Sequence, residues 1–161
     1  MAHGCSTLEF ILLALCREHP RSGYALLKIF AETPMGYYSG SPGAIYPALH
    51  RLARKRLVSG TSGTGRTGRP TRVFTITARG SRALKGWMTQ PVFRGDVIHR
   101  EAELMVRFAF MGGFIPDDQA LAFLASLRVE LSRYADDLEA LLSSLKASPR
   151  ASLHGCLALE A

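Results

Sequence analysis

Apolar residues recur at helical spacing along most of this chain. One segment, between Leu57 and Ile76, breaks the pattern with β-branched and aromatic residues around a glycine-rich tip. Ser6-Thr7-Leu8-Glu9 is a capping box, and a first helix follows with Phe10, Leu13 and Leu15 among its buried candidates, ending before Pro20. Ser22 caps a second helix over about 23–32, where Tyr24, Leu27 and Ala31 share one stripe with Leu26 and Phe30 beside it. The prolines and glycines of 33–43 form a connection, and a third helix runs from Pro42 or Gly43 to about Lys55. Leu57-Val58-Ser59 and Thr71–Ile76 then predict two short strands flanking the tip 60–70, a hairpin. Thr77 caps a fourth helix over about 78–88, and 91–95 reads as a linker. A helix over about 100–111 is broken by Gly112, Gly113 and Pro116, and a long helix runs from Asp117 to about Lys146. A short apolar segment, Leu153–Leu159, follows.

Three short helices, a hairpin and a further helix are the order of a winged helix-turn-helix. In that fold the third helix enters the DNA major groove. Here Ile45, Leu49 and Leu52 fall at i, i+4 and i+7 and face the core. The opposite face carries Ser41, Gly43 and Ala44, then Tyr46, His50, Arg51 and Arg54. Small residues allow close approach to the duplex, and the longer polar ones reach bases or backbone. Pro47 inside this helix removes a hydrogen bond, so its first turn is expected to be irregular or to begin nearer Ala44. Such strain marks a functional site or loose local packing. At the tip, Arg66 and Arg69, with Arg72 just after, form either a DNA-contacting wing or a solvated loop; the helix order favours the wing. In the long helix Leu124, Leu127, Leu131, Tyr134, Leu138, Leu141 and Leu145 alternate three and four apart, an a/d seam. That seam either packs within the subunit or joins two copies. The fold class is thus mainly α with a small β-hairpin wing: a DNA-binding domain over 1–90 and a helical, coiled-coil-like dimerisation arm over 91–161.

Charge sharpens this picture. The net charge is +7, yet residues 33–95 hold eleven bases and no acid, while 96–161 hold ten acids and six bases. An acid-free central segment between neutral and acidic flanks is what a phosphate-facing surface requires. With 47% hydrophobic and 20% charged residues the chain has the composition of a folded domain. It has no apolar run long enough to span a membrane, and Glu9 sits against the first apolar run, which argues for a core helix over a signal peptide. A cytoplasmic location is expected. The three cysteines, Cys5, Cys16 and Cys156, do not form a disulfide framework. No catalytic set is present: His19 sits in a turn, His50 on the third helix, and Asp117-Asp118 and Asp136-Asp137 at a helix start and on a helix face. No cofactor or metal is expected, although His3-Gly4-Cys5 and His154-Gly155-Cys156 are both His-x-Cys. This leaves open an alternative metal- or haem-responsive sensor if the termini met. An RNA-binding module would need more strand than this chain offers.

The stretch Gly23-Tyr24-Ala25-Leu26, then Ser41-Pro42-Gly43-Ala44-Ile45-Tyr46-Pro47-Ala48-Leu49-His50-Arg51-Leu52, then Gly68-Arg69-Pro70-Thr71-Arg72-Val73-Phe74-Thr75-Ile76-Thr77-Ala78-Arg79-Gly80 resembles the PadR family of bacterial transcriptional regulators. The resemblance covers about residues 8–88; the arm is similar only in pattern. It implies contacts to double-stranded operator DNA at Tyr24, Ser41, Ala44, Tyr46, Pro47 and His50, and at Arg69, Pro70 and Arg72. It further implies a homodimeric repressor released by a small aromatic or lipophilic effector. Trp87 then either lines a pocket near the dimer interface or is a buried structural residue. Two positions depart from the family pattern. Arg56 stands where a glycine usually precedes the first strand, so the turn is expected to be built differently. Phe74 replaces a tyrosine.

Overall fold

A computed structural model describes residues 4–38, 41–64 and 70–147. Within these the chain forms α1 (Thr7–Glu18), β1 (Arg21–Ser22), α2 (Gly23–Glu32), α3 (Pro42–Arg54), β2 (Val58–Thr64), β3 (Pro70–Ile76), α4 (Ala78–Met88), α5 (Arg94–His99), α6 (Glu101–Ala109) and α7 (Asp117–Ala147). A 3-10 turn, Pro34–Tyr37, links α2 towards α3. The sheet order is β1-β3-β2, all antiparallel, with Phe74 paired to Arg21 on one side and Gly60 on the other. The two-residue strand β1 is too short to show a period in the sequence. It leads directly into Ser22, whose hydroxyl accepts from the Ala25 amide and caps α2.

Helix α1 is the central post. Its residues Glu9 to Cys16 are all buried, because α3, β3 and α4 pack around it. Phe10 stacks on Trp87 of α4 with ring centroids 4.5 Å apart. The core continues past residue 90 without a break, through Val92, Val97, Leu104, Val106, Met111, Ile115, Phe123 and Leu127. On α2 the buried positions are Gly23, Leu26 and Phe30, while Tyr24 and Ala31 are exposed and Leu27 is half-buried. The inward face is thus centred on Leu26 and Phe30, the line along which α2 meets α3 and β3.

Three local expectations change. Helix α5 begins at Arg94, inside the segment read as a linker, because the Asp96 carboxylate accepts the Phe93 amide at 2.9 Å and starts a turn there. Helix α3 begins at Pro42 and runs through Pro47 unbroken. The Gly43 carbonyl that Pro47 leaves without a partner amide belongs to a solvent-exposed residue, so it does not carry the cost of a buried unpaired group. Arg56 keeps the left-handed conformation of the usual glycine, at φ 57°. Its amide donates to Ala53 and the Leu57 amide to Leu52, at 3.0 and 2.9 Å, which closes α3 with a Schellman motif. The turn is therefore built in the glycine manner by a residue that pays for it in backbone strain.

Arg56→Gly should remove that strain and raise stability by about 1 kcal/mol, the usual left-handed penalty for a side chain. Chemical denaturation checks this: the midpoint should rise at unchanged slope.

Candidate nucleic-acid interface

Helix α3 divides cleanly into two faces. Ile45, Ala48, Leu49 and Leu52 are buried. Ser41, Gly43, Tyr46, Pro47, His50 and Arg54 are exposed, and Ala44 is half-buried. Ser41 makes no side-chain cap to the first turn, so its hydroxyl remains outward-facing chemistry. Tyr46 packs directly on Gly23: a Cβ there would sit 2.5 Å from its ring. That contact sets the start of α2, with Tyr24 at 73% exposure, beside the outer face of α3.

Arg51 has a different placement from its neighbours. Glu9, only 2% exposed, accepts from Arg51 Nε at 2.5 Å and from Lys55 Nζ at 2.9 Å. It also completes the capping box of α1 with Ser6. Arg51, read from the sequence as a DNA-facing residue, ties α3 to the start of α1 through its Nε while its side chain stays 41% exposed; His50 and Arg54 beside it are exposed. Burial alone pushes the Glu9 carboxyl upward, but the hydrogen bonds from Arg51 and Lys55 outweigh it and hold it below its ordinary value. Lys55 also donates to the Gly4 carbonyl and lies 3.5 Å from Cys5 Sγ. Burial raises the Cys5 thiol above its ordinary range and pushes Cys16 up to about 12, so both are poor nucleophiles.

In the hairpin, Arg72 crosses Gly60 so closely that a Cβ at Gly60 would strike its guanidinium. Its Cζ is 5.5 Å from the Phe74 ring. Arg72 is exposed and held along the strand by these two contacts. Arg66 and Arg69 lie outside the described residues, as do the side chain of Pro70 and the positions His3, His154 and Cys156. Among the described residues no cluster of His, Cys, Asp or Glu could hold a metal, and no helix is long and apolar enough to cross a membrane.

The arm divides the expected seam. Leu127 is buried and Tyr134 packs on the core, Leu141 is half-buried, and Leu124, Leu131 and Leu138 are exposed; the Leu145 side chain is outside the described set. Trp87 is buried against Phe10, and its indole donates to Glu103 of α6 at 3.2 Å. Glu103 also accepts from Thr7 of α1 at 2.8 Å. Tyr38, just ahead of α3, donates to the Ala102 carbonyl at 2.6 Å, and Arg17 donates to the Gly113 carbonyl at 2.9 Å. Head and arm are thus joined at polar as well as apolar points. Sequence reasoning placed Glu9 in a cap and missed its grip on α3. A carboxylate at the edge of a wholly apolar run was the available signal. The parts of Gly23 and Gly60 in seating Tyr46 and Arg72 had no such signal.

A helix-turn-helix whose third helix presents a polar outer face, followed by a wing carrying an exposed arginine, defines a DNA-binding winged helix. Residues 11–86 match the model of the transcriptional regulator PadR-like family. Residues 11–86 are thus a PadR-like domain, and members of that family are DNA-binding transcription regulators and not enzymes. Among solved structures, Bacillus subtilis PadR in complex with operator DNA is similar at 21% identity, covering 96% of this chain and 86% of that one, with a TM-score of 0.49. The same protein in complex with p-coumaric acid matches at 22% identity, over 96% and 85%, with a TM-score of 0.45. A PadR-like regulator from Bacillus cereus matches at 22% identity, over 62% and 90%, with a TM-score of 0.46. No curated protein matches the sequence.

Two outcomes test this geometry. Glu9→Gln should cost about 1–3 kcal/mol, below the figure for fully buried pairs because Arg51 and Lys55 keep contact with water. Glu9's depressed folded pKa stabilises the fold fully above its ordinary value of 4.5, and that contribution fades as pH falls through the folded value. The gap in melting temperature between wild type and variant should therefore close on acidification below that point, and a gap independent of pH would refute the ion-pair assignment. For the wing, Gly60→Ala should displace Arg72 and weaken DNA binding about as much as Arg72→Ala does, with a salt slope lower by about one unit in each; titrations at several salt concentrations measure both.

Proposed function

We propose that this chain is a homodimeric repressor that binds double-stranded operator DNA through a head over 1–90, dimerises through an arm over 91–161, and is released by a small-molecule effector. The observation that carries the DNA part is the outer face of α3. Tyr46, His50 and Arg54 project from it, within a stretch of 63 residues that lacks any carboxylate. A duplex brought to that face meets no carboxylate from residues 33–95. Tyr24, Ser41, Gly43, Ala44 and Pro47 supply close approach around it, and Arg66, Arg69, Pro70 and Arg72 supply the wing.

Dimerisation is supported by what α7 leaves uncovered. Leu131 and Leu138, one heptad apart, are 47% and 42% exposed, and Leu124 continues their line. A second copy related by a two-fold axis would cover these positions and set two recognition helices about one helical turn of DNA apart. Repression needs nothing further, since occupancy of an operator excludes the polymerase. An effector acts if it binds one arm arrangement better than another, since the arm sets the head spacing. Such a regulator works in the cytoplasm, where the DNA is.

Binding to the DNA upstream of the chain's own gene is the direct test. Tyr46→Ala should weaken specific binding by about 1–3 kcal/mol. Leu131→Asp with Leu138→Asp should sediment as a folded monomer with sharply reduced operator affinity, because both sites are already solvent-exposed within the subunit. A double variant that remains a dimer would refute the seam, and a Tyr46→Ala chain that binds like wild type would refute the recognition face.

A further inference from the structure

Helix α4 is basic on the side it turns away from the core. Gly80, Leu84 and Trp87 fall at i, i+4 and i+7 and are buried. A Cβ at Gly80 would strike the Leu57 carbonyl, so the first turn of α4 lies tight against the α3–β2 turn. Arg79, Arg82 and Lys85 recur every three residues around the opposite side of the helix, and all three are exposed. Arg56 is exposed in the turn beside them, and its carbonyl accepts at 2.8 Å from the Thr77 hydroxyl that also caps α4. None of the ion pairs among the described residues includes any of these four cations.

Each of the four stands where it costs stability. The first turn of α4 holds no acid, so Arg79 there opposes the helix dipole. Like charges three residues apart on one helix face repel. Arg56 is the one non-glycine at positive φ among the described residues. A solvated face gains nothing from such an arrangement, whereas a phosphate backbone supplies the missing counter-charge. Ala78 and Gly86 lie exposed on the same side of α4, and a Cβ at Gly86 would meet nothing, so a backbone can come close.

This strip is separate from the wing tip. The hairpin runs from the Val58–Ile76 pair beside the strip to the Thr64–Pro70 pair at the tip, a rise of about 20 Å. That is the span of about six phosphates along one DNA strand. A duplex held by α3 and the wing offers its next phosphates to the strip at high effective concentration.

We propose that Arg56, Arg79, Arg82 and Lys85 form a second, sequence-independent contact with double-stranded DNA, taking the phosphate backbone of the operator duplex outside the half-site that α3 reads. It extends the DNA-binding reading above and rests on it.

The test uses the full chain and two duplexes from upstream of its own gene, one trimmed to the half-sites and one with about one helical turn of flank on either side. Flanks should tighten wild-type binding at least about tenfold at low salt, with a steeper salt slope. The triple variant Arg79→Gln, Arg82→Gln, Lys85→Gln should lower the slope on the flanked duplex by about three units and leave binding to the trimmed one unchanged. Arg56→Gly should lower that slope by about one unit although it stabilises the fold, an outcome that a merely structural arginine would not give. An unchanged slope in the triple variant would overturn the proposal and leave the strip to an acidic protein surface. Equal losses on both duplexes, or capture of a second duplex in place of the flank, would overturn it as well. A random-sequence duplex separates the two readings. A wild-type chain that binds it as tightly as the operator would overturn the repressor reading, while the slope difference between wild type and triple variant on that duplex still measures the strip.

Discussion

A helix that is apolar on every side must be covered on every side, and α1 is such a helix. From Phe10 to Cys16 every residue is buried, none more than 5% exposed. The three-helix head and its hairpin cover part of this surface, and the remaining side needs α4 and the elements beyond it. The arm is therefore no appendage to a finished head. Thr7, Arg17 and Trp87 reach it by hydrogen bonds, and one hydrophobic core runs from Phe10 to Leu127. Everything that orients the recognition helix is referred to this post.

Glu9 turns that post into a fixed mount for α3. A buried carboxylate is costly unless its lone pairs are used, and here the Ser6 amide, Arg51 and Lys55 use them. The two cations belong to the last turns of α3, so the helix is gripped at its C-terminal end while its N-terminal residues stay open. Tyr46 resting on Gly23 steadies the middle. The outer face is thus held from behind, and its exposed residues need not be ordered anew when a duplex arrives, which lowers the entropic cost of binding.

The same economy of contacts links the arm to the head. Glu103 joins α1, α4 and Arg100 through one carboxylate, and Tyr38 ties the approach to α3 to the backbone of α6. A shift of α6 would be felt at both ends of the reading head. Arg107 sits on this same helix and ties it to the end of α4 through the Met88 and Gln90 carbonyls.

The sequence by itself determined the order of elements, the caps at Ser6, Ser22 and Thr77, the buried line Ile45–Leu49–Leu52, and the acid-free reading surface. All of these are local or periodic properties that neighbouring residues impose. It also carried the family motif. It did not determine the turn of α2 about its axis, the split of the 124–138 leucines into covered and open positions, the strand β1, or the pairing of Arg51 with Glu9. Those depend on which surfaces meet across 40 to 100 positions of chain, and amphipathic spacing is silent on the partner. Arg56 shows the boundary between the two. Its side chain argues against a left-handed turn, and the closing hydrogen bonds of α3, together with the burial of Leu57 and Val58, impose that turn regardless.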